Sequence, residues 1–495
     1  MTASVRRLTS ASLVLALSLA LLVAAPRPAA AHDACAPAEG APSGVVGAVL
    51  QAVNVFASFL PTAAASCDDK FAGVDVKIER DFTVDVEGFA SNADSRSRAP
   101  QTFAPCVRGM AAGTFPCDGV DMLSHVSHAE LGTTFVNDIW GWTDPRTRKD
   151  YALVGASEGT VFVDISDPKR PVVQGILPTA SSEGGRFWRD IKVHADHAYV
   201  VSENTNHGVQ VFDLTGLRDW DGTYTTYAET ARYTGHGRAH NININTDTGF
   251  LYSVGARQTA PGIDCGTGLH MIDINDPADP TYAGCFQDHG YVHDTQCVVY
   301  EGPAAGFQGR ELCFNSNATT SAPGGEHRVA IVDVTDKDNP VSLSREGYDN
   351  DGYSHQGWLT PDQQYFLHGD ELDEVRRGIR TTTRVWDVRD PENPAVVQTF
   401  ENDTTSIDHN VYTQGRYAYA SNYTSGLRVY DIRDVASAGM EEAAFFDVYP
   451  ENDNPTFEGG TWSNYPYFRQ KGVVAASSMD RGLFILRPRV SQAGN

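Results

Sequence analysis

Beyond about residue 102, the chain alternates between short apolar runs and clusters of glycine, proline, asparagine and aspartate. A period of two bounded by turn residues predicts half-buried β-strands. The clearest runs, most of which end in aspartate, are Thr160–Asp164, Val209–Asp213, Leu269–Asp273, Val329–Asp333, Arg384–Asp387, Leu427–Asp431 and Gly482–Leu486. Aspartate at such a place can accept backbone N–H groups of the following turn, so we interpret these acids as structural.

A second motif recurs once in every unit of about 45 to 60 residues, and it opens the unit. Its seven copies are Val136–Trp140, Trp188–Lys192, Ala239–Asn243, Val292–Gln296, Ser354–Trp358, Asp408–Tyr412 and Glu458–Trp462. Seven regular units of short strands predict an all-β fold, namely a seven-bladed β-propeller, because radial repetition hides nearly all sheet edges. The propeller is expected over residues 103–488, with a C-terminal tail at 489–495. The last unit lacks a fourth strand, and Met122–Leu131 is placed to supply it as a clasp between the chain ends.

The N-terminal region has a different pattern. Residues 1–31 read as a cleaved signal peptide, with Arg6-Arg7, an apolar segment at Leu13–Ala25 and small residues at Ala29–Ala31. Residues 32–102 form an N-terminal extension that we expect to be partly helical or loose. The apolar segment is too short for a membrane span and nothing in the tail resembles an anchor. We therefore expect a secreted protein, extracellular or periplasmic, without a transmembrane segment in the mature chain.

Eight cysteines follow the predicted cleavage site. An even number in an exported chain favours disulfides over metal thiolates, and no C-x-x-C pair occurs. Proximity along the chain suggests the pairs Cys35–Cys67, Cys106–Cys117, Cys265–Cys285 and Cys297–Cys313.

The chain is acidic, which limits the classes of binding partner that we expect. Its net charge is −25, and removal of Arg6, Arg7 and Arg27 with the signal peptide takes it to −28. Nucleic acid and anionic membranes are not attracted to such a surface, so we expect no nucleic-acid partner. A protein or small-molecule ligand stays open.

The repeated motif carries polar residues at two positions. The first position reads Asn137, Arg189, His240, His293, His355, His409 and Gly459, and the second reads Asp138, Asp190, Asn241, Asp294, Gln356, Asn410 and Gly460. In a propeller the first strand of each blade lines the channel, so these positions form rings near one mouth. The four histidines predict a zinc, copper or iron site, which Asp138, Asp190 or Asp294 would complete or orient. Alternatively, the same side chains tie neighbouring blades together through backbone hydrogen bonds.

A dense acidic stretch offers a second candidate site. Asp370, Glu371, Asp373 and Glu374 lie within five residues and are suited to calcium. The alternative is a solvated loop whose charge is neutralised by Arg376, Arg377 and Arg380.

Aromatic residues also recur after the motif: Trp140, Trp142, Trp188, Trp358, Tyr412 and Trp462. We interpret them as packing between blades, with a sugar-stacking platform as the alternative. The chain has no nucleophile-elbow motif and no phosphate-binding glycine loop, so the catalytic residues stay unknown.

Several of these segments resemble the choice-of-anchor B proteins, and the third strands resemble the related LVIVD repeat. The matching segments are Asn137–Trp142, Trp188–Lys192, His240–Ile242, Gly268–His270, His293–Cys297, His355–Leu359, Asp370–Glu374, Asp408–Asn410, Asn422–Leu427 and Trp462–Pro466. The resemblance covers about residues 103–488 and implies an exported or surface bacterial propeller, often tethered by a C-terminal anchor. This chain departs from that pattern at its tail, and the resemblance supplies no catalytic residues.

Two classes of function follow from these observations. The first is an exported binding or scaffold protein that recognises a ligand or partner at the channel mouth. The second is a metal-dependent enzyme, an oxidoreductase or a hydrolase, that uses the four histidines. A third possibility, a purely structural propeller stabilised by calcium, would depend on the acidic stretch instead of the histidines.

Overall fold

The computed structural model describes residues 102–318, 327–437, 439–468 and 472–490. The predicted signal peptide, almost all of the N-terminal extension and the Cys35–Cys67 pair lie outside these residues. Within them, the strands form seven sheets of four to six strands, which confirms the seven-bladed β-propeller. Among the described residues, no helix has the length and apolar character needed to cross a membrane.

Three strands and a short helix precede the first complete blade: β1 (Met110–Ala111), β2 (Phe115–Asp118), β3 (Val120–Val126) and α1 (His128–Leu131). Blade one contains β4 (Val136–Thr143), β5 (Asp150–Ala156), β6 (Gly159–Asp164) and β7 (Val172–Pro178). Blade two contains β8 (Arg189–His194), β9 (His197–Ser202), β10 (Val209–Asp213), a 3-10 helix (Leu214–Asp219), β11 (Thr225–Thr226) and β12 (Ala231–Tyr233). Of these, β11 leaves its blade and pairs in parallel with β7.

Blades three to five continue in the same antiparallel pattern. Blade three contains β13 (Asn241–Asn245), β14 (Phe250–Val254), β15 (Leu269–Asp273) and β16 (Thr281–Phe286). Blade four contains β17 (Asp294–Val299), β18 (Glu311–Asn317), β19 (Arg328–Asp333) and β20 (Val341–Glu346). Blade five contains β21 (Ser354–Leu359), β22 (Tyr365–Asp370), α2 (Asp373–Arg377), β23 (Thr382–Asp387) and β24 (Ala395–Glu401).

The last two blades close the ring. Blade six contains β25 (Asn410–Gln414), β26 (Tyr417–Ser421), β27 (Leu427–Asp431) and β28 (Glu441–Phe446), and β2 and β1 extend its outer edge. Blade seven contains β29 (Thr461–Phe468), β30 (Val473–Ser478) and β31 (Gly482–Pro488), with β3 as its fourth strand. The inner strand of each blade contacts the inner strands of both neighbours, and β29 contacts β4.

The predicted clasp between the chain ends is confirmed, with one difference in extent. Strand β3 pairs with β31 from Val120 opposite Pro488 to Val126 opposite Leu483. The prediction continued the strand through Leu131, whereas the chain turns into α1 after Val126. Ser127 and Glu130 form a capping box there, because each side chain bonds the other residue's backbone N–H. That local hydrogen bonding favours a helix start over further strand.

The aspartates at the ends of the third strands are structural, as interpreted. Each accepts a hydrogen bond of 2.9–3.1 Å from the backbone N–H two residues later; they are Asp164, Asp213, Asp273, Asp333, Asp387 and Asp431. Glycine directly precedes two of these strands for a steric reason. A Cβ on Gly208 or Gly426, at φ of +68° and +83°, would lie 2.3 Å from a carbonyl oxygen of the fourth strand.

The hydrophobic core is divided among the blade interfaces. Seven apolar clusters each draw side chains from two neighbouring blades. Between blades one and two, for example, Leu153, Ile191 and Val200 are fully buried, and the rings of Phe162 and Phe212 stack at 4.8 Å. Full burial of one such side chain stabilises the fold by roughly 1.5–3 kcal/mol. No blade therefore buries its apolar surface alone, and the channel is held by the whole ring.

Three of the four predicted disulfides are present: Cys106–Cys117, Cys265–Cys285 and Cys297–Cys313. The first joins the segment before β1 to β2, the second joins the loop between β14 and β15 to β16, and the third links β17 to β18. These bonds indicate an oxidising compartment outside the cytoplasm.

Candidate functional site

Four imidazoles, which we call the histidine ring, converge where the inner strands of blades three to six begin. Successive ring centroids of His240, His293, His355 and His409 lie 4.2, 4.3 and 4.3 Å apart. The last three are at most 5% exposed, and the side chain of His240 is 16% exposed. Because each histidine starts an inner strand, equivalent positions of the repeat face one shared space.

Hydrogen bonds orient the histidine ring. Nδ1 of His293 donates to the carbonyl oxygen of His355 at 2.8 Å, and Nδ1 of His409 donates to that of Trp462 at 2.5 Å. A carbonyl oxygen only accepts, so the proton is on Nδ1 and the lone pair of the neutral ring is on Nε2. Nδ1 of His240 instead lies 2.5 Å from Oε1 of Glu203. Metal-ligating histidines characteristically donate their second nitrogen to a carbonyl or a carboxylate in this way.

Glu371 brings a carboxylate to the same space. Its backbone N–H donates to the carbonyl oxygen of Tyr353, and the Tyr423 hydroxyl donates to Oε1 at 2.8 Å. Nε2 of His355 lies 3.8 Å from Oε2, and Nε2 of His409 lies 3.7 Å from Oε1. One ligand atom each from His293, His355 and Glu371 lie within 4.8 Å of one another. Ligands of a tetrahedral zinc ion at about 2.1 Å would be about 3.4 Å apart, so a modest contraction of this group would suit the ion.

Burial keeps the imidazoles in the form that binds metal. Removal from water lowers the pKa of His293 and His355 well below the usual value, and neighbouring histidines lower it further. Burial likewise lowers the pKa of His409 to about 3. The neutral imidazole, not the imidazolium ion, is therefore the state near neutral pH, and only the neutral ring coordinates a metal.

The predicted carboxylate partners lie one residue further along the strands and have other contacts. Nζ of Lys192 lies 2.5 Å from Oδ1 of Asp190 and 3.7 Å from Oδ2 of Asp138, and all three side chains are buried. Asp190 also accepts the backbone N–H of Ile242 in the next blade. Burial raises the pKa of Asp294 to about 7. Among the described residues, neither group suited to a metal includes these aspartates, so their role as ligands stays a prediction.

Several polar residues of the repeat tie neighbouring blades together, which was the alternative interpretation. The Asn137 side chain donates to the carbonyl oxygen of Phe187, and the Asn241 side chain donates to that of His293. Gln356 both donates to the carbonyl oxygen and accepts from the N–H of Val411. His293 and His409 join this pattern through Nδ1, so one side chain can hold two blades together and still have Nε2 available.

The acidic stretch is buried, so its interpretation as a solvated loop is wrong. Asp370, Asp373 and Glu374 have no exposed surface, and Glu371 is 6% exposed. The stretch leads from β22 into α2, and Arg384 of β23 pairs with Asp373 at 2.7 Å. The predicted neutralising partners contact other groups instead: Arg376 bonds the Gly352 carbonyl oxygen, Arg377 bonds Asp351, and Arg380 pairs with Asp403.

The four acids of this stretch separate into three environments. Glu371 joins the histidine ring, while Asp370 accepts the hydroxyl of Tyr348 and backbone N–H groups. Asp373 and Glu374 form a buried group with Asp408. Burial raises the pKa of Asp373 to about 6 and raises that of Glu374 and Asp408 well above the usual value. Calcium binding by the four predicted ligands stays a prediction.

A second ring lies three residues further along the inner strands, at Trp140, Lys192, Asn243, Gln296, Trp358 and Tyr412. At about 3.3 Å per residue, this ring is about 10 Å along the channel from the histidines. All but Tyr412, together with Tyr467 of β29, line a cavity of about 310 Å³, which we call the amide–aromatic cavity.

The recurring aromatic residues therefore occupy two kinds of environment, namely the packed interfaces between blades and the wall of the cavity. Trp142 packs on Tyr151, and Trp188 stacks on Trp462 with 4.9 Å between the rings. Tyr412 is buried, and edge-to-face contacts join it to Trp140 at 5.6 Å and to Trp358 at 4.9 Å. Packing between blades explains most of these aromatic residues, but Trp140 and Trp358 also line the amide–aromatic cavity.

Sequence reasoning did not identify Glu203, Asp408 or Tyr467 as parts of these sites. Asp408 directly precedes His409, so its place in the repeated motif was a usable signal. Glu203 lies in the loop after β9, and no local pattern connects it to His240. Likewise, Tyr467 falls at the end of a strand whose motif carries glycine at both polar positions.

Comparison with known protein families gives one match, to a short part of the chain. The model of the LVIVD repeat family matches residues 148–179, which span β5 to β7 of blade one. No curated protein matches the chain.

Similar solved structures include several propellers at low identity. The β-propeller domain of Cps50 (Swd1) from Myceliophteria thermophila has 13% identity and a TM-score of 0.43, covering 72% of this chain and 96% of that domain. The RRP9 WD40 repeats have 10% identity and a TM-score of 0.46, covering 79% of this chain and 99% of theirs. Hydrazine synthase from Kuenenia stuttgartiensis has 13% identity and a TM-score of 0.47, covering 72% of this chain and 95% of that one.

Proposed function

We propose that this protein is a binding protein that holds a divalent transition metal at one end of its propeller channel. His293, His355 and Glu371 are the central ligands, and His240 and His409 flank them. Imidazole and carboxylate ligands suit zinc, and imidazole-rich sites also suit copper and iron. The metal would give the channel mouth a Lewis-acidic centre that recognises a donor atom on a ligand or partner.

One observation carries this proposal, which is the orientation of the buried histidines. A side chain that served only to tie blades together would need one hydrogen bond, and His293 and His409 make it through Nδ1. Yet their rings form one continuous row with those of His240 and His355, with successive centroids 4.2–4.3 Å apart, and the Glu371 carboxylate lies 3.8 Å from Nε2 of His355 and 3.7 Å from Nε2 of His409. A row of neutral imidazoles around a buried carboxylate supports ion binding because it places several lone pairs near one negative charge.

Elemental analysis of the purified full chain tests the proposal. We expect close to one transition-metal ion per chain, either as isolated or after reconstitution with zinc, copper or iron. The His293→Ala/His355→Ala variant should lose the ion while circular dichroism and melting show a folded protein. His197→Ala, which removes an imidazole that bonds only its local loop, is the matched control and should retain the ion. Absence of metal in every reconstituted sample, or equal metal in the folded double variant, would refute the proposal.

A metal-dependent enzyme is the second candidate function, and the Glu203–His240 pair favours it. This pair lies at the partly exposed edge of the histidine ring, and both side chains are 16% exposed. A carboxylate-supported imidazole beside a metal is a common arrangement for moving a proton in hydrolysis. Turnover of chromogenic esters or phosphoesters by the metal-loaded protein, absent from His293→Ala/His355→Ala, would support this function over binding alone.

We also propose that the chain is an exported member of the choice-of-anchor B group. The motifs that carry this resemblance open the inner strands and supply the histidine ring, and the disulfides fit export. Expression with the natural N-terminus and sequencing of the secreted product should show cleavage after Ala31. A product that retains residues 1–31 in the cytoplasm would contradict it.

A further inference from the structure

The amide–aromatic cavity has the two surfaces that recognise a sugar. One side presents Trp140, Trp358 and Tyr467, all partly exposed, and the other presents the amide side chains of Asn243 and Gln296. Its volume of about 310 Å³ is at the lower end of the range for small-molecule sites. We propose that this cavity binds an uncharged saccharide unit, with its C–H face on the indole rings and its hydroxyl oxygens on the amides.

The hydrogen-bonding capacity that faces the cavity is mostly that of a donor. Oδ1 of Asn243 accepts the backbone N–H of Cys297, and Oε1 of Gln296 accepts that of Leu359. Both amide oxygens are therefore occupied, whereas no acceptor for either NH₂ group is found among the described residues, and both residues line the cavity. A ligand that offers acceptor oxygens would satisfy them, and a ligand without oxygens would leave them unpaired at a cost.

The charges around the cavity disfavour an anionic ligand. The Lys192 ammonium is balanced by Asp190, and its Nζ lies 4.6 Å from the centre of the Trp140 ring. Exposed Asp247 and Glu301 lie among the lining residues, and they repel an anion. The amide N–H groups of Asn243 and Gln296 need an acceptor, which an ammonium group does not offer. A neutral molecule with hydroxyl oxygens accepts from both amides and is not repelled by the two carboxylates, so a saccharide suits this wall better than a carboxylate or an amine.

The aromatic side is rigid enough to act as a platform. Trp140 and Trp358 both pack edge-to-face on Tyr412, which is 2% exposed. Fixed rings bind at a lower entropic cost than mobile ones because no side chain must be ordered on binding. This site uses none of the proposed metal ligands, so it does not depend on the proposed function.

Tryptophan fluorescence titration and calorimetry of the full chain test the inference. The probes are glucose, N-acetylglucosamine and cellobiose, with benzyl alcohol as an aromatic probe that lacks a sugar's hydroxyl pattern. We expect saturable binding of at least one sugar. Binding should weaken about tenfold or more in Trp358→Ala and in Gln296→Glu, which keeps the acceptor for Leu359 but removes the donor. Tighter binding of cellobiose than of glucose would indicate the end of a longer chain, and equal binding would indicate a free monosaccharide.

Two controls separate the possible outcomes. Trp220→Phe removes an indole on a loop outside the cavity, where its N–H bonds the Thr223 carbonyl oxygen, and should leave binding unchanged. If Trp358→Ala does not fold, Trp358→Phe and Gln296→Glu carry the test. Failure of every sugar to bind, binding of benzyl alcohol alone, or unchanged sugar affinity in a folded Gln296→Glu variant would overturn the inference.

Discussion

The histidine ring and the amide–aromatic cavity are built on the same inner strands, but they differ in the chemistry of their side chains. At the first position of the repeat, blades three to six all carry histidine, and the result is a row of similar rings. Three residues later, the same four blades carry Asn243, Gln296, Trp358 and Tyr412, and the first three of these line a cavity with two unlike walls. A repeat therefore determines which positions face the channel, while each blade remains free to vary the chemistry there.

Charge also changes between the two ends. The histidine end has a buried carboxylate and neutral imidazoles, which attract a cation. The amide–aromatic end has its one ammonium group balanced by Asp190 and Asp138. This Lys192–aspartate layer separates two sites that we expect to bind unrelated ligands.

Removing the lysine between the two ends should have the largest effect. Lys192→Met leaves Asp190 buried without its cation, so we expect the free energy of unfolding to fall by about 3–5 kcal/mol. Both ends should weaken together because Asp190 also holds β13 through Ile242. Urea unfolding checks this, and Lys192→Met/Asp190→Asn should recover much of the loss. Wild-type stability in the single variant would show that the layer does not support the channel.

Lowering the pH should destabilise the wild type more than a variant with an amide in place of one buried histidine. The difference in the free energy of unfolding should be smaller than the effect of Lys192→Met. Burial lowers the pKa of His207 to about 3, so its folded form stays neutral while the unfolded form gains a proton below about 6.5. Its contribution to stability is present above pH 6.5 and is lost as the pH falls toward the folded pKa. Between pH 7 and pH 5, the wild type should lose about 2 kcal/mol more stability than His207→Gln.

Other buried groups also change the free energy of unfolding over this pH range. His125 and His270, whose pKa burial lowers to about 4, act in the same direction as His207. Asp447, whose pKa burial raises to about 6, acts in the opposite direction because its folded form gains a proton first. Comparison of two variants that share this background cancels it. Parallel curves of unfolding free energy against pH for the wild type and His207→Gln would contradict the prediction. Gln296→Glu is not a suitable control here because it adds a titrating group.

The smallest expected effect concerns the residue that supports His240. Glu203→Gln keeps the size of the side chain but removes the charge beside Nδ1 of His240, so metal affinity should fall about tenfold. Competition with a chromogenic chelator measures this affinity. Sugar binding at the other end should not change, and Glu183→Gln, an exposed glutamate bonded to Asn206, is a matched control. Equal metal affinity in all three proteins would exclude His240 from the metal site.

Much of the architecture was predictable from the sequence because it depends on local periodicity. Alternating residues, turn aspartates and the seven motif copies each act within a few neighbouring residues, and they predicted the blades. Proximity along the chain predicted the three disulfides seen. The clasp was predictable because a blade with three strands must find a fourth. Its exact end was not, since the capping box at Ser127 and Glu130 competes with the strand.

The sequence by itself determined which residues face the channel, since each begins an inner strand of a repeated unit. Only the tertiary structure decided how those residues are used. Glu371 and Asp373 are two residues apart, yet one reaches the histidine ring and the other pairs with Arg384 and lies beside Asp408. Glu203 reaches His240 across a blade interface. The physical reason is that burial and the identity of the neighbours set a side chain's charge state and contacts, and both arise only when the ring closes.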